Sequence, residues 1–345
     1  MANAFLTITG QYENIGDAMH RRVLVQWIRK RADLHLYVGG APDSFLRAVT
    51  VGPSDKVYRS LPQWLAKCAS LSSGDAFVFS SGQMRLRPKR FLGEIALLPL
   101  ITKMRSQGVT ILRLGVEALP HTLLPPYIFN RLIRQTECLW RDEKSRKIFS
   151  HGTVAPDLAF AEFNDSGRGG DILAVSMRGD KEYPSSKWFD VVNHIAEVHK
   201  LRPVTLTQVR RDSDRNGEIA SELECEHVTW PNSIPHTVQE KQINAVYREA
   251  SIVLSDRLHV LIAGVNHHAV PISPQSEYNA KINKHFSTIG LEEIAFNLRD
   301  TPVSEAKSRA EDLPHNRRED LDHARKAKQK LIQLQKETYL FDNNK

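Results

Sequence analysis

The sequence predicts an α/β protein of two domains, each built around a parallel sheet. Its 345 residues are too many for one ordinary domain and enough for two that each bury a core. Short apolar runs rich in β-branched residues alternate with longer stretches whose apolar residues recur every three or four positions. Strands that alternate with helices favour parallel βαβ units, whose ligand sites lie in the loops that follow the strands.

Each apolar run has the length of a buried strand, and the runs cover Phe5–Thr9, Ala76–Phe79, Thr110–Leu114, Ile172–Ser176, Pro203–Thr207 and Ser251–Leu254. Amphipathic periodicity predicts helices at Ala18–Arg31, Phe91–Ser106, Ser186–His199 and Thr237–Glu249. Turn-forming residues crowd the segment Phe163–Asp171, where we expect the domain boundary. We therefore predict domains at 1–165 and 166–300, followed by a charged tail at 301–345 that is helical or partly disordered.

Composition narrows the classes of function. No segment approaches the roughly 18 consecutive apolar residues of a membrane span, and the N-terminus lacks the basic start of a secretory signal. Cys68, Cys138 and Cys225 are far apart and show no metal-ligand spacing, so we expect a cytoplasmic protein with no bound metal and no disulfide. A net charge of +7 favours an anionic partner: a phosphorylated small molecule, a nucleic acid or an anionic lipid surface.

The segment Ser251–Val265 carries the clearest sign of chemistry. It reads as a buried strand, a Ser/Asp turn and an apolar helix that opens near Arg257 and His259. The positive end of a helix attracts anions, and Arg257 adds a planar fork suited to phosphate or carboxylate. His259 is of the right type to move a proton. The alternative is that Arg257 pairs with a carboxylate of the protein and His259 is an ordinary interior histidine.

Two polar loops in the N-terminal half are further candidates. The loop Thr9–Asp17 follows the first strand, contains Gly10 and Gly16, and either contacts a ligand or is an ordinary βα turn. The loop Ser80–Gln83 precedes a basic run and either holds an anionic acceptor or belongs to a solvated face. Nucleic acid is not expected as a partner, because the basic run lacks interleaved aromatic residues and no nucleic-acid-binding motif accompanies it.

Taken in order, these segments resemble motifs of the polysaccharide pyruvyl transferase family, over about Phe5 to Phe286. The matching segments are Asn14–Asp17, Trp140–Ser145 with Gly152 and Asp157, Val175–Arg178, Gln208–Asp212, Ser255–His259 and Tyr278–Lys281. The chain departs from the family pattern at His20 and at Gly82, the single glycine of a loop that is usually glycine-rich. Both departures lie in the half where an acceptor is expected to bind.

The resemblance implies two Rossmann-like domains with a central cleft, resembling the GT-B glycosyltransferase architecture. It also implies transfer of a pyruvyl group from phosphoenolpyruvate, a co-substrate, to a sugar hydroxyl of a polysaccharide or glycolipid precursor, with no further cofactor and with a pyruvate ketal as product. Of the residues implied, His259 and Arg257 are catalytic, and Arg178, Arg257, Ser255 and Lys281 bind the donor in the C-terminal domain. The acceptor-binding residues are expected in the N-terminal domain and are Asn14, Gly16, Asp17, Ser81, Gln83 and Arg141.

Two alternatives stay open. One is a GT-B-type glycosyltransferase that uses a nucleotide sugar, and the other is a non-catalytic protein that binds anions or nucleic acid. The saccharide acceptor could be linked to a lipid, in which case the positive charge of the chain would favour a peripheral contact with an anionic membrane.

Overall fold

The chain forms two compact α/β units. The computed structural model describes residues 2–120, 125–167, 169–276 and 278–337. Of these described residues, the first unit contains those from 2 to 12, from 17 to 158 and from 330 to 337, and the second contains those from 13 to 16 and from 159 to 329. The division at 158/159 precedes the boundary predicted at 165/166, and neither the short segment 13–16 nor the return of the chain at 330 was predicted from the sequence.

The first unit is a parallel sheet flanked by helices. Its strands are β1 (Ala2–Thr7), β2 (Ala32–Tyr37), β3 (Lys56–Tyr58), β4 (Ala76–Phe79), β5 (Gly82–Arg85), β6 (Thr110–Leu119), β7 (Glu137–Trp140) and β8 (Thr153–Val154). Its helices are α1 (Ile15–Arg29), α2 (Asp43–Ala48), α3 (Leu61–Cys68), α4 (Pro88–Ser106), α5 (Asn130–Ile133) and α6 (Glu143–Phe149). The strand order is β3-β2-β1-β4-β6-β7-β8, with β5 paired to the end of β6.

The second unit repeats this plan. Its strands are β9 (Ile172–Ser176), β10 (Arg202–Leu206), β11 (Glu226–Val228), β12 (Ala250–Ser255), β13 (Val270–Gln275) and β14 (Ala295–Asn297). Its helices are α7 (Ser186–Val198), α8 (Ser213–Glu222), α9 (His236–Glu249), α10 (Leu258–Asn266), α11 (Lys281–Phe286), α12 (Val303–Glu311) and α13 (Leu313–Glu337), which continues into the first unit from residue 330. The order β11-β10-β9-β12-β13-β14, all parallel, is that of a Rossmann fold.

The centre of the second sheet explains its apolar sequence. Every residue of β9 is buried, as expected for a strand covered on both faces. Helix α10 is apolar on nearly all sides and is buried over most of its length. Gly264 lets this helix approach β12 closely, because a Cβ atom there would lie 2.6 Å from the Cβ atom of Val253. Helix α10 therefore packs directly against β12.

The charged tail is helical over its described part. Ala306 and Ala310 of α12 are fully buried in the core of the second unit. Leu331 of α13 is also fully buried, and residues 338–345 lie outside the described part of the chain. None of the described helices is both long enough and apolar enough to cross a bilayer.

Candidate functional site

The strand order of the second sheet reverses between β9 and β12, which lie side by side. In open parallel sheets, ligands bind at the carboxyl ends of the strands where the order reverses. At that edge Ser176 ends β9 and Ser255 ends β12, and the two residues are register partners. Arg178 and Arg257, both predicted to bind the donor, therefore follow these strands at the position where the fold favours a ligand.

Hydrogen bonds join the two strand-end loops. The hydroxyl of Ser255 donates to the carbonyl of Ser176 and accepts the N–H of Arg257 at 3.0 Å. The next residue, Asp256, accepts the N–H of Arg178 at 2.9 Å. The Ser255 hydroxyl thus helps to position Arg257, and its contact with the donor stays a prediction.

Ser176 presents a different hydroxyl to this edge. Its side chain is 1% exposed, and its Oγ atom has no hydrogen-bond partner among the described residues. A buried polar group without a partner costs roughly 1–3 kcal/mol.

Arg257 is fixed by a buried carboxylate. Its Nε and Nη2 atoms donate to the two carboxylate oxygens of Asp212, the latter at 2.6 Å. Asp212 is fully buried and also accepts the N–H of Gly179 at 2.9 Å. The two parallel bonds set the plane of the guanidinium group and hold it in one orientation. The structure thus bears out the alternative that Arg257 pairs with a carboxylate of the protein.

Three guanidinium groups surround the carboxylate of Asp180, in the loop after β9. Arg178 donates to its two oxygens at 2.8 and 2.9 Å, and Arg211 donates to one of them at 3.2 Å. The Nη2 atom of Arg257 lies 3.8 Å from the same carboxylate. The hydrogen bonds from Arg178 and the other two positive charges hold the pKa of Asp180 well below its usual range. A carboxylate of the chain thus occupies a place suited to an anionic group of a ligand.

Asp256 titrates close to neutral pH. Burial raises its pKa to about 6, although the charges of Arg257 and Arg178 act in the opposite direction. The nearby carboxylate of Asp212 adds to the increase. A carboxyl group that exchanges its proton near neutral pH, within a cluster of charges, is a candidate for proton transfer.

The Asn14 loop lies on the second unit. Asn14 forms an antiparallel bridge with Val209, shortly after the end of β10. A Cβ atom at Gly16 would lie 2.8 Å from the Cγ atom of His259, so no side chain fits at this position. Asn14 and Gly16 therefore belong to the same unit as the predicted donor residues. This corrects the expectation that they bind the acceptor from the N-terminal domain.

His259 and Lys281 lie at the same edge of the second sheet. His259 is the second residue of α10 and is partly exposed, next to Gly16. Lys281 begins α11, which follows β13, the neighbour of β12 in the sheet. Its N–H donates to the side chain of Asn279 at 2.9 Å. The proton carrier predicted from the sequence is thus near Arg257, and Lys281 is one strand further along.

Ser81 and Asp17 lie in the first unit, where its strand order reverses between β1 and β4. Nη1 of Arg21 lies 3.1 Å from Nε2 of His20 and 3.1 Å from the carboxylate of Asp17. Nε2 of His20 also lies 3.6 Å from the carboxylate of Asp17, and its Nδ1 atom lies 2.7 Å from the hydroxyl of Ser81. The buried His20 therefore links Ser81 to the ion pair of Arg21 and Asp17.

Arg141 and Gln83 meet at a buried carboxylate. The guanidinium of Arg141 donates to Glu117 at 2.9 Å and to Asp157 at 2.8 Å, and all three side chains are buried. Gln83, which is exposed, donates to Glu117 at 3.2 Å. Two carboxylates therefore balance the charge of Arg141 inside the fold, and its contact with the acceptor stays a prediction.

Sequence reasoning assigned no catalytic or ligand-binding role to Asp180, Arg211, Asp212 or Asp256. The last three lie in segments that resemble family motifs, whereas the position of Asp180 shortly after β9 was its only signal. Charged residues in loops usually face solvent, so the sequence alone did not separate Asp180 from ordinary surface residues.

Solved structures match the fold over almost the whole chain. S. aureus MnaA in a co-structure with UDP has a TM-score of 0.57 at 12% identity, over 100% of this chain and 99% of that chain. A UDP-GlcNAc 2-epimerase from Neisseria meningitidis, bound to UDP-GlcNAc, has a TM-score of 0.56 at 10% identity, over 96% and 99%. Anabaena Alr3699/HepE in complex with UDP and glucose has a TM-score of 0.54 at 10% identity, over 98% of each chain.

No protein-family model and no curated protein matches the sequence. At such low identities the structural likeness shows the fold alone. The predicted fold class, an α/β protein of two Rossmann-like domains that resembles the GT-B architecture, is confirmed.

Proposed function

We propose that this chain is an enzyme of GT-B type that transfers a group from an anionic donor to a sugar. The observation that carries the proposal is the convergence of Arg178, Arg211 and Arg257 on one carboxylate, at the edge where the second sheet reverses its order. An anionic group of the donor takes the place of the Asp180 carboxylate and receives these hydrogen bonds. Asp212 keeps Arg257 in the orientation that this contact requires.

Transfer to a sugar hydroxyl also requires a group that accepts a proton as the new bond forms. The partial exposure of His259, two residues after Arg257, supports this role for the histidine. Asp256 is a second group at this edge that changes protonation near neutral pH. Replacement of His259 by Ala should therefore lower the rate of transfer more than the affinity for the donor.

The comparisons favour a nucleoside-diphosphate sugar as the donor. MnaA binds UDP, and the Neisseria meningitidis epimerase binds UDP-GlcNAc. A diphosphate carries two adjacent anionic groups, and a cluster of three arginines suits such a ligand.

Phosphoenolpyruvate is the second candidate donor, and one observation favours it. The segments that resemble pyruvyl transferase motifs include Asn14–Gly16, Ser176–Arg178, Asp212 and Ser255–His259, and all of them lie in the second unit at the strand ends described above. Phosphoenolpyruvate carries a carboxylate beside a phosphate. The fork of Arg178 already holds a planar carboxylate with two bonds. In this reaction one sugar hydroxyl would add to C2 of the enol phosphate while C3 gains a proton, and a second hydroxyl would then close the ketal as inorganic phosphate leaves.

Donor binding can be tested with a pair of arginine variants. The side chain of Arg211 is 51% exposed, so Arg211→Ala should fold. Arg202 is 53% exposed and begins β10, at the opposite end of the same sheet, so Arg202→Ala is a matched control. We expect the donor to raise the melting temperature of the wild type and of Arg202→Ala, because a ligand that binds only the folded state stabilises it. The affinity of Arg211→Ala should be about tenfold lower.

The same measurement separates the donor classes. A thermal shift with UDP-GlcNAc or UDP alone would identify a nucleotide-sugar enzyme, and a shift with phosphoenolpyruvate alone would identify a pyruvyl transferase. If neither ligand shifts the wild type, the proposal is overturned and a non-catalytic anion-binding protein is favoured. Equal affinities of the two arginine variants would show that the donor does not bind at Asp180.

A further inference from the structure

Helix α4 of the first unit presents an apolar face to solvent. Leu92 is 66% exposed and Ile95 is 42% exposed, and Ala96 and Pro99 on the same side of the helix are also exposed. The opposite face packs inward through Phe91, Glu94, Ile101 and Met104. A helix at the surface of a water-soluble domain normally carries polar residues on its outer face. The apolar outer face of α4 therefore indicates a surface that binds a partner.

The surface continues onto the 3₁₀ turn Pro126–Phe129, in which the side chain of Tyr127 is 68% exposed. The two segments are in contact, because the rings of Phe91 and Phe129 pack edge to face with centroids 5.2 Å apart. We call Leu92, Ile95 and Tyr127 the apolar patch. Two aliphatic side chains with one tyrosine form a surface that is apolar and carries a polar hydroxyl.

The charged residues that lie near the patch along the chain are mostly basic. Between residues 82 and 136 the acidic residues are Glu94 and Glu117, which are 3% and 1% exposed and therefore lie inside the fold. The exposed charged side chains described in this range are all basic: Arg85, Arg87, Lys89, Lys103, Arg105, Arg131 and Arg134. Lys89 and Lys103 lie at the two ends of the apolar stripe on α4, at helical spacing. The next acidic residue, Glu137, is exposed and attracts Arg105.

We propose that the apolar patch and its basic border bind the surface of an anionic lipid bilayer. The apolar side chains enter the boundary between headgroups and acyl chains, and the lysines and arginines attract the anionic headgroups. A second copy of the chain is a poorer partner, because pairing this face with itself would bring like charges together. Nucleic acid would leave the leucine and isoleucine exposed. The inference does not depend on which donor the second unit binds.

Vesicle sedimentation with the full chain tests this inference. We expect the wild type to sediment with vesicles of phosphatidylcholine and phosphatidylglycerol, and more weakly with phosphatidylcholine alone. The double variant Leu92→Ser, Ile95→Ser should bind both kinds of vesicle at least about tenfold more weakly. The double variant Arg87→Glu, Lys89→Glu should lose the preference for anionic vesicles. Its binding to them should be at least about tenfold weaker than that of the wild type.

The control is the double variant Val198→Ser, Val238→Ser, which removes two valines of the second unit that are 44% and 42% exposed. It should sediment like the wild type. Failure of the wild type to bind anionic vesicles at low salt would overturn the inference, as would equal binding of the Leu92 and Val198 variants. A dimer that the Leu92 variant abolishes, seen by light scattering without vesicle binding, would assign the patch to self-association instead. Unchanged melting temperatures show that each variant is folded.

Discussion

The buried carboxylate of Asp256 lowers the stability of the fold when it is charged. Burial raises the pKa of this carboxyl group from 3.8 to about 6. Below a pH of about 4 the group is protonated in both the folded and the unfolded states, so it has no effect. Between about pH 4 and pH 6 the unfolded chain loses this proton first, and the free energy of unfolding falls as the pH rises. Above about pH 6 the group is charged in both states, and the folded state bears the whole free-energy cost of burying that charge.

The variant Asp256→Asn should remove this penalty. Asparagine keeps an oxygen that accepts the N–H of Arg178 but carries no charge to desolvate. We expect the free energy of unfolding at pH 8 to increase by on the order of 2 kcal/mol, with no change below about pH 4. Urea unfolding at a series of pH values measures both quantities. A variant that is less stable than the wild type at pH 8 would contradict this account.

Asp180 should compete with the donor. The variant Asp180→Asn removes the negative charge that three arginines now surround, so we expect an anionic donor to bind about tenfold more tightly. Without ligand the variant should lose no more than about 1 kcal/mol, because the carboxylate is partly exposed. Titration calorimetry with the donor measures the first effect. The control is Asp171→Asn, which removes an exposed carboxylate beside Arg202.

The opposite result would be equally informative. Weaker donor binding by Asp180→Asn would mean that the carboxylate orients the arginines in the complex and does not occupy the place of the ligand. The contacts of Asp180 would then resemble those of Asp212, which holds Arg257 by two bonds and is fully buried.

At the scale of elements, the sequence predicted the central strands better than the outer ones. Strands β9 and β12 are uninterrupted apolar runs because helices cover both their faces. Strand β2 was missed because Asp33 and His35 interrupt its pattern, and β13 was missed because it contains Pro271 and Pro274. These strands are specified by pairing with their neighbours in the sheet and not by local periodicity.

The same limit applies to the candidate site. The turn after β12 could be predicted because a strand, a polar turn and a helix follow one another in the chain. The pair of Arg257 and Asp212 joins residues that are 45 positions apart, and no local pattern encodes it. The sequence therefore indicates which edge of a sheet carries charged residues, but it does not show which charges neutralise each other.

Gly16 is the residue through which the Asn14 loop fits against α10. A methyl group at this position would lie 2.8 Å from the Cγ atom of His259, so either the loop or the histidine must move. We expect Gly16→Ala to destabilise the protein by about 1–3 kcal/mol and to lower the rate of transfer, because His259 is displaced. Gly40→Ala is the matched control, since a Cβ atom there meets nothing within 4 Å. Denaturant unfolding and kinetics of the two variants provide the comparison.

If Gly16→Ala were as stable and as active as Gly40→Ala, the loop would be loosely packed against α10. The Asn14 loop would then have no role in positioning His259. A stable Gly16→Ala variant with normal donor affinity but slow transfer would support the role proposed for His259 most directly, because binding and chemistry would be separated.

At the scale of the whole molecule, each unit is assembled from segments that are distant in sequence. The second unit takes residues 13–16 from near the start of the chain, and the first unit takes the residues from 330 on. The sequence does not reveal which unit each of these segments joins. The pattern of an amphipathic segment such as α13 indicates which face of the helix is buried, but not which surface of the protein covers that face. For this reason the sequence predicts a tail at 301–345 that is separate from both domains.

The last turns of α13 should therefore contribute to the stability of the first unit in particular. Leu331 is fully buried and belongs to the first unit, whereas its neighbour Ile332 is 41% exposed. We expect Leu331→Ala to cost about 2–4 kcal/mol and Ile332→Ala less than about 1 kcal/mol. Hydrogen exchange measured by mass spectrometry should show faster exchange in β1–β8 of the Leu331 variant and unchanged exchange in β9–β14. Faster exchange confined to β9–β14 would show that the end of α13 stabilises the second unit. It would contradict the contacts, which assign this end of the chain to the first unit.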